Sequence, residues 1–415
     1  MSDRISVLHV CDHLGWAGSR MHGVKRLFAW TLPRFDKSRF DVSLVSLRQK
    51  DSSEDTLEQF GIDVTYLHKG KFDPATLTAL LKVMDRKGTQ VLHLHGYGAT
   101  TFGRLAAAMR GTAVLLHEHA NHTTTPWFQQ VADSTLARYT DLAIAVSAST
   151  AEFTIRARKV PAERTKVVYL GAPLEEFGRP RSGQEIAAAR EALGIARGTF
   201  AVGTVTRLMP SKGNQYLIEA VRPIVEQIPA AHVYIAGEGE LQAQLEAQAR
   251  DLGVADRVHF LGFQRDVASV LSALDVVVFP SLWEGTPLTS FEALAMGKPI
   301  VSTDADGLCE ILRDTVDAVI VPRESGRAIA DAVIALESDP ARRAALGAEA
   351  QRTSRRYDIA AWVRKMERLY ELMARVSKPT KRQGLLREDL SFLDSSANAG
   401  QPSPLRGSGS PGAQP

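Results

Sequence analysis

The sequence predicts an α/β protein built from two doubly wound parallel sheets, and three observations carry that reading. Short apolar runs rich in β-branched residues alternate with helix-like segments from Ile5 to Leu170, a pattern that calls for a parallel sheet with helices on both faces. The alternation restarts at Phe200, beyond a stretch rich in glycine, proline and charge at residues 178–183. At 415 residues, 44% of them hydrophobic, the chain is long enough for two globular domains of ordinary size.

Composition narrows the class further. Cys11 and Cys309 stand far apart and make no disulfide framework, which points to a reducing compartment, with cytoplasm as the expected location. The N-terminus has no signal-peptide pattern, and no window approaches 18 uninterrupted apolar residues, so neither export nor a membrane span is expected. Net charge is +3 but divides unevenly. Residues 1–173 carry 22 Lys+Arg against 16 Asp+Glu, and residues 174–376 carry 23 against 28; nine of the eleven histidines lie in the first half. A basic first half suits an anionic acceptor or membrane surface.

In chain order, Ile5 to Val10 reads as the first strand, followed by a glycine loop holding Gly15 and Gly18 and a helix from about Met21. Glycines at the carboxyl end of a parallel strand let backbone approach a phosphate or sugar. The following segment mixes Lys25, Arg26, Arg34, Lys37 and Arg39 with Leu27, Phe28, Trp30 and Leu32, which suits either an anionic membrane interface or a solvated helix edge. Strands follow at Phe40–Leu47, Val64–Leu67, Val91–His95, Ala113–His119, Leu142–Val146 and Val167–Leu170. Gly96-Tyr97-Gly98 lacks the third glycine of a dinucleotide turn, because Thr101 stands there, and no such cofactor is expected. His117-x-His119 has no third ligand nearby in sequence, and no metal is expected either.

In the second half, Arg207 and Lys212 lie five apart across a strand-to-helix turn, where two cations can hold a diphosphate. Strand-to-loop units recur at Val233–Gly239 and Val258–Phe263. The apolar run Asp275–Pro280 then leads into Trp283-Glu284-Gly285-Thr286-Pro287-Leu288, with Glu284 in a loop and Glu292 in the helix beyond. A carboxylate accepts from vicinal hydroxyls and helix N-terminal N–H groups hold phosphate, so the pair suits a nucleotide-sugar; a capped helix with solvated glutamates is the plainer alternative. Helices at 328–336, 340–355 and 359–376 close the fold, and residues 377–415, rich in Ser, Gly and Pro, are expected to be disordered.

The spacing Glu284-x7-Glu292, the Glu-Gly-x-x-Leu opening, the Gly297-Lys298-Pro299-Ile300-Val301 continuation and the Arg207/Lys212-Gly213 frame resemble the retaining GT-B enzymes of glycosyltransferase family 4. The resemblance implies two Rossmann-like domains facing a central cleft: an acceptor domain over 1–180, a nucleotide-sugar domain over 181–358, and a helix over 359–376 crossing back to the first domain. It implies Glu292 on the ribose, Glu284 on a donor hydroxyl, Arg207 and Lys212 on the diphosphate, and His119 beside the sugar. Gly15, Gly18, Gly285, Thr286 and Leu288 would line the donor, Phe263 the base, and Asn121 and His122 the acceptor side.

The implied activity is metal-independent, cofactor-free transfer of a hexose, with retention, from a UDP- or GDP-sugar to a hydroxyl of a glycan or lipid-linked acceptor. The implied setting is bacterial surface glycan or glycolipid synthesis at the inner face of the membrane, with no nucleic-acid partner. Three features depart from the family pattern. Leu170-Gly171 replaces Asn-Gly, Asp306 replaces the first glycine of Gly-Gly-x-x-Glu, and Pro287 removes one N–H donor. A sugar-nucleotide epimerase and a binding protein without turnover are the rival readings, and the intact Arg207, Lys212, Glu284 and Glu292 favour turnover. Asp304-x-Asp306 would suit a metal only in a different fold.

Overall fold

The computed structural model describes residues 4–15, 20–53, 55–120, 126–375 and 389–393. The first sheet contains β1 (Ile5–Cys11), β2 (Phe40–Ser46), β3 (Val64–Tyr66), β4 (Val91–His95), β5 (Ala113–Glu118), β6 (Leu142–Ala145) and β7 (Thr165–Val167). These strands are parallel, in the order β3-β2-β1-β4-β5-β6-β7. They alternate with α1 (Gly23–Thr31), α2 (Ala75–Lys87), α3 (Tyr97–Arg110), α4 (Trp127–Leu136) and α5 (Ala148–Arg156). Two helices, α6 (Leu174–Phe177) and α7 (Gly183–Ala192), lead to the second sheet.

That sheet contains β8 (Phe200–Val205), β9 (Ala231–Ala236), β10 (Val258–Gly262), β11 (Val276–Phe279), β12 (Ile300–Thr303) and β13 (Val319–Val321), again parallel, in the order β10-β9-β8-β11-β12-β13. Its helices are α8 (Asn214–Gln227), α9 (Gln242–Asp251), α10 (Val267–Ala273), α11 (Leu288–Ala295), α12 (Asp306–Ile311), α13 (Gly326–Ser338) and α14 (Pro340–Ser354), before α15 (Ile359–Arg375). The central strands read as unbroken apolar runs because both faces are covered: Val7, Leu8, Val10, Val276, Val277 and Val278 are fully buried. The strand order reverses between β1 and β4 and again between β8 and β11. Ligands of open parallel sheets bind outside the strand ends at such points.

The helix after β1 differs from its expectation in extent and in role. It covers nine residues, and Leu27, Phe28 and Trp30 are buried in the core. Lys25 is fully buried in an ion pair with Asp51 and donates to Ser53 Oγ at 2.7 Å. Arg34 pairs with Glu175, and Arg39 with Glu371. With these apolar side chains turned inward and Lys25, Arg34 and Arg39 paired, the segment does not present the amphipathic membrane face its composition suggested. Exposed aromatics gather instead at Phe72, Trp127 and Phe128, where the Phe72 and Phe128 rings meet edge to face and Lys71 Nζ stands 5.5 Å from the Phe72 ring centre. Among the described residues no helix is long and apolar enough to cross a membrane.

The helix α15 packs on the first sheet. Met366, Leu369, Tyr370 and Met373 are fully buried, Glu367 accepts from the Asp36 N–H at 2.8 Å, and the Tyr370 hydroxyl reaches His93 and His9 in β4 and β1. Part of the segment expected to be disordered is built onto this helix. Leu390 and Leu393 are buried, the Lys365 ammonium donates to the Leu393 carbonyl at 3.5 Å, and Arg368 stacks over Phe392 at 4.2 Å. Three apolar side chains in a five-residue turn bury enough surface to hold it, which average composition over the tail conceals.

Candidate active site

Two loops leave the second sheet at its reversal point. The loop after β8 makes a 3₁₀ turn over Pro210–Lys212 and ends at Gly213, whose φ of +61° and position only glycine tolerates: a Cβ there would stand 2.0 Å from the Pro280 carbonyl oxygen. The loop after β11 lies against it, with the Leu282 N–H donating to the Ser211 carbonyl at 2.8 Å. This close approach brings Lys212 into an ion pair with Glu284, 13% and 10% exposed, and the Ser281 hydroxyl donates to the same carboxylate oxygen at 2.9 Å. The two side chains to which separate roles were assigned thus form one unit, while Arg207, at the start of the β8 loop, stays exposed.

The β11 loop also touches the first domain. Thr286 is buried and donates to the Val146 carbonyl at 3.1 Å, and a Cβ at Gly285 would lie 3.2 Å from the His119 carbonyl oxygen. Pro287 caps α11 and Leu288, half-buried, begins it. Glu284, Gly285 and His119 are therefore neighbours across the two domains.

From the first domain the β1 loop supplies His22, which sequence reading did not single out. Burial holds the imidazole down at about 4, with His13, Lys25 and Arg207 adding to the depression, so His22 lies within electrostatic reach of Arg207 in the other domain. Its position just ahead of α1, where its Nδ1 accepts from the Lys25 N–H at 3.4 Å, is the local signal that could have flagged it. Arg20 stands 3.9 Å from Glu238 and 5.5 Å from the Phe263 ring centre, so Phe263 sits at the rim beside a cation. Gly15 is half-buried in the same loop; Gly18, Asn121 and His122 lie outside the described residues. The Gly96-Tyr97-Gly98 turn holds no vacant anion site. The Asp12 carboxylate takes the N–H groups of Gly98 at 3.0 Å and Ala99 at 2.6 Å.

Glu292 departs from its expected surroundings. Fully buried in α11, it meets the Arg26 guanidinium of α1 at 2.6 Å, and that guanidinium also lies 4.9 Å from the Trp30 ring centre. The pairing is with the first domain rather than open to the cleft. Asp304 and Asp306 likewise face a protein cation: Arg323 pairs with Asp304 at 3.0 Å and with Asp306 at 3.5 Å.

A group of five histidines occupies the carboxyl ends of β1, β4 and β5. Strand register sets His9 beside His93 and His95 beside His117. His9 Nδ1 lies 3.0 Å from His95 Nε2, and His95 Nδ1 lies 2.9 Å from His119 Nε2, with the rings of each pair within 16° of parallel. Nitrogens of His9, His93 and His95, and of His95, His117 and His119, fall within 4.8 Å of one another. The His9–His95 and His95–His119 separations are hydrogen-bond distances between ring nitrogens. Burial keeps the group neutral, with His9 and His119 each held down at about 3.

Burial pushes the Glu292 carboxyl up to about 7, with Arg26 pulling it down and Glu176 adding to the rise. The folded state thus holds its proton more tightly than the unfolded chain, and the resulting stability is present in full below the ordinary carboxyl range and lost as pH climbs to about 7. Relative to Glu292→Gln, the native protein should lose on the order of 3 kcal/mol between pH 4.5 and 7. The difference in Tm followed across that range checks the sign; a flat difference means the carboxyl is not perturbed.

Comparison with known proteins gives one consistent result. A model described as Glycosyltransferase Family 4 matches residues 21–176, and one described as Glycosyl transferases group 1 matches residues 185–353. A putative glycosyltransferase, EpsD of Bacillus subtilis, is 30% identical over 315 residues, covering 72% of this chain and 81% of the relative. The UDP-Gal:alpha-D-GlcNAc-diphosphoundecaprenol alpha-1,3-galactosyltransferase of Escherichia coli is 24% identical over 333 residues, covering 77% and 86%. Among solved structures, HepE of Anabaena in complex with UDP and glucose superposes with a TM-score of 0.76 at 22% identity over 89% of this chain and all of that one, a likeness of fold. The chain belongs to glycosyltransferase family 4, and its two facing parallel-sheet domains have the GT-B architecture of that family.

Proposed function

We propose that this glycosyltransferase moves a hexose from a nucleoside-diphosphate sugar to an acceptor hydroxyl with retention at the anomeric carbon, and without a metal ion. The observation that carries this reading is the Lys212–Glu284 pair at the reversal point of the second sheet, with Arg207 on the same loop and His119 adjoining from the first domain. In the transfer, the bond between the anomeric carbon and the β-phosphate oxygen breaks, a bond to the acceptor oxygen forms, and the acceptor proton is released. Negative charge collects on the departing diphosphate. An ammonium carries three donors, so Lys212 keeps contact with Glu284 while offering others to phosphate oxygens; Arg207 adds a planar fork. Glu284, oriented by Ser281, accepts from a sugar hydroxyl. For ribose hydroxyls to reach Glu292, its pair with Arg26 must open. The UDP in the name of the Escherichia coli relative and in the HepE complex makes UDP-hexoses the first donors to test.

The acceptor we infer is lipid-linked. The exposed aromatics Phe72, Trp127 and Phe128 beside Lys71, on the basic domain, support contact with an anionic bilayer. Sedimentation with vesicles should increase with anionic lipid, decrease with salt, and fall several-fold in Trp127→Ala with Phe128→Ala. Equal partitioning of the double variant and the native protein would remove this surface from the acceptor reading.

Protection against thermal unfolding across UDP-, GDP- and ADP-sugars identifies the donor, since a ligand bound to the folded state raises Tm by mass action. With that donor at saturation, Lys212→Ala should fold normally and lose about 10²–10³ in turnover, the usual cost of removing one preorganised donor to developing charge. Near-normal turnover would show that Lys212 does not hold the leaving diphosphate.

Turnover should also persist in excess chelator, because Arg207, Lys212 and the N-terminus of α11 supply the positive charge. Abolition that manganese restores would send the search for a cation to the histidine group and to Asp304 and Asp306.

A further inference from the structure

The histidine group is more than packing, because it connects His119 to the far end of the chain. The Tyr370 hydroxyl, on α15, lies 2.7 Å from His93 Nδ1 and 3.2 Å from His9 Nε2; His9 continues to His95 and His95 to His119 at the distances given above. Tyr370, His9, His93 and His95 are all 3% exposed or less. Every link is a single hydrogen bond between groups with one hydrogen to give.

A neutral imidazole has one N–H and one bare nitrogen, so assigning one hydrogen in such a chain assigns all the others. With the Tyr370 hydroxyl donating along the chain two directions are available; were it to accept from both imidazoles, its own buried O–H would be left unpaired. In the first, His93 Nδ1–H donates to Tyr370, Tyr370 to His9 Nε2, His9 Nδ1–H to His95 Nε2, and His95 Nδ1–H to His119 Nε2, which leaves His119 with its hydrogen on Nδ1. In the second, every bond reverses, and His93 is left with a hydrogen on Nε2. That nitrogen is buried and has no hydrogen-bond partner. A buried N–H without an acceptor is the rarer and costlier defect compared with a bare acceptor nitrogen, so the first direction is favoured.

We propose that Tyr370 is a positioning residue for the transfer: acting through His9 and His95, it fixes His119 as the Nδ1–H tautomer and holds the ring in place beside the donor sugar. The proposal rests on the reading of His119 as a sugar contact. It adds that the hydrogen-bonding character of His119 is set three hydrogen bonds away, by a hydroxyl on α15. A sugar hydroxyl meeting His119 then finds a hydrogen-bond donor of defined orientation, and no reorientation is needed as the bond to the diphosphate breaks.

Tyr370→Phe tests this with the least damage, because it keeps the ring that packs against Phe35 and Phe40 and deletes only the hydroxyl. Protein labelled with ¹⁵N-histidine reports the tautomer in the absence of any donor, with His119→Gln identifying the His119 signals. The native protein should show His119 as a single Nδ1–H form. Tyr370→Phe should show a mixture of both tautomers and a fall of about tenfold in kcat/KM for the donor. In a His9→Phe background, where the chain is already cut, Tyr370→Phe should change neither quantity further. A mixed tautomer with unchanged kcat/KM would uphold the chain and count against His119 as a sugar contact. A single His119 tautomer in folded Tyr370→Phe would overturn the proposal, as would an equal kinetic effect of Tyr370→Phe with and without His9.

Discussion

The contact between the two domains depends on a backbone approach inside the second domain that side chains would forbid. A Cβ at residue 307 would stand 1.3 Å from the Gly285 carbonyl oxygen, and the Gly307 N–H donates to the Glu284 carbonyl at 3.2 Å. With α12 seated that low, Glu310 reaches the N-terminus of α5 in the first domain, accepting from the Ala148 N–H at 2.7 Å and from the Tyr169 hydroxyl at 2.8 Å. A carboxylate at the positive end of a helix is stabilised by both the vacant N–H groups and the aligned peptide dipoles. The opposite rim is tied more loosely. There Arg265, 70% exposed, pairs with the buried Asp55, and Arg20 stands 3.9 Å from Glu238, which is 46% exposed. The cleft is therefore fastened on one side by a half-buried carboxylate at a helix N-terminus and on the other by ion pairs with at least one solvent-exposed partner.

The end of β5 bears a different environment on each face. His119 looks to the histidine group, whereas Glu118, one residue earlier, turns to the other side and pairs with Arg158 at 2.7 Å. Arg158 shares Asp133 with Arg104, which donates to its other oxygen at 2.8 Å, and the four side chains are at most 7% exposed. Removing one member would leave an uncompensated buried charge, so the network penalises any displacement of the strand end that carries His119. Rigidity on one face and a defined hydrogen-bond direction on the other serve the same residue.

The sequence made the second domain more legible than the first for a physical reason. Arg207, Lys212, Glu284 and Gly285 lie on short loops whose glycine and proline spacing is local, so strand, turn and helix start could be read directly. Lys25 could not be read that way: its burial depends on Asp51, in a loop beyond the next strand. The partner of Glu292 escaped for the same reason, since Arg26 comes from the other domain. The histidines gave a partial sign, because His93 and His95, like His117 and His119, alternate at the period of a strand and so share a face. Their union with His9 required the register of three strands, and their link to Tyr370 required the packing of a helix more than 250 residues away.

The position of α15 bears on how the protein is made. The face of the first sheet that carries His9 and His93 is covered by Trp362, Met366, Tyr370 and Met373, residues synthesised some 200 positions after the last strand of that sheet. At the usual elongation rate of about 5–20 residues per second, that interval lasts roughly 10–40 s. Throughout it, that face of the sheet has no α15 to cover it. The first domain thus cannot close its core until α15 has been synthesised, which ties its completion to that of the second domain.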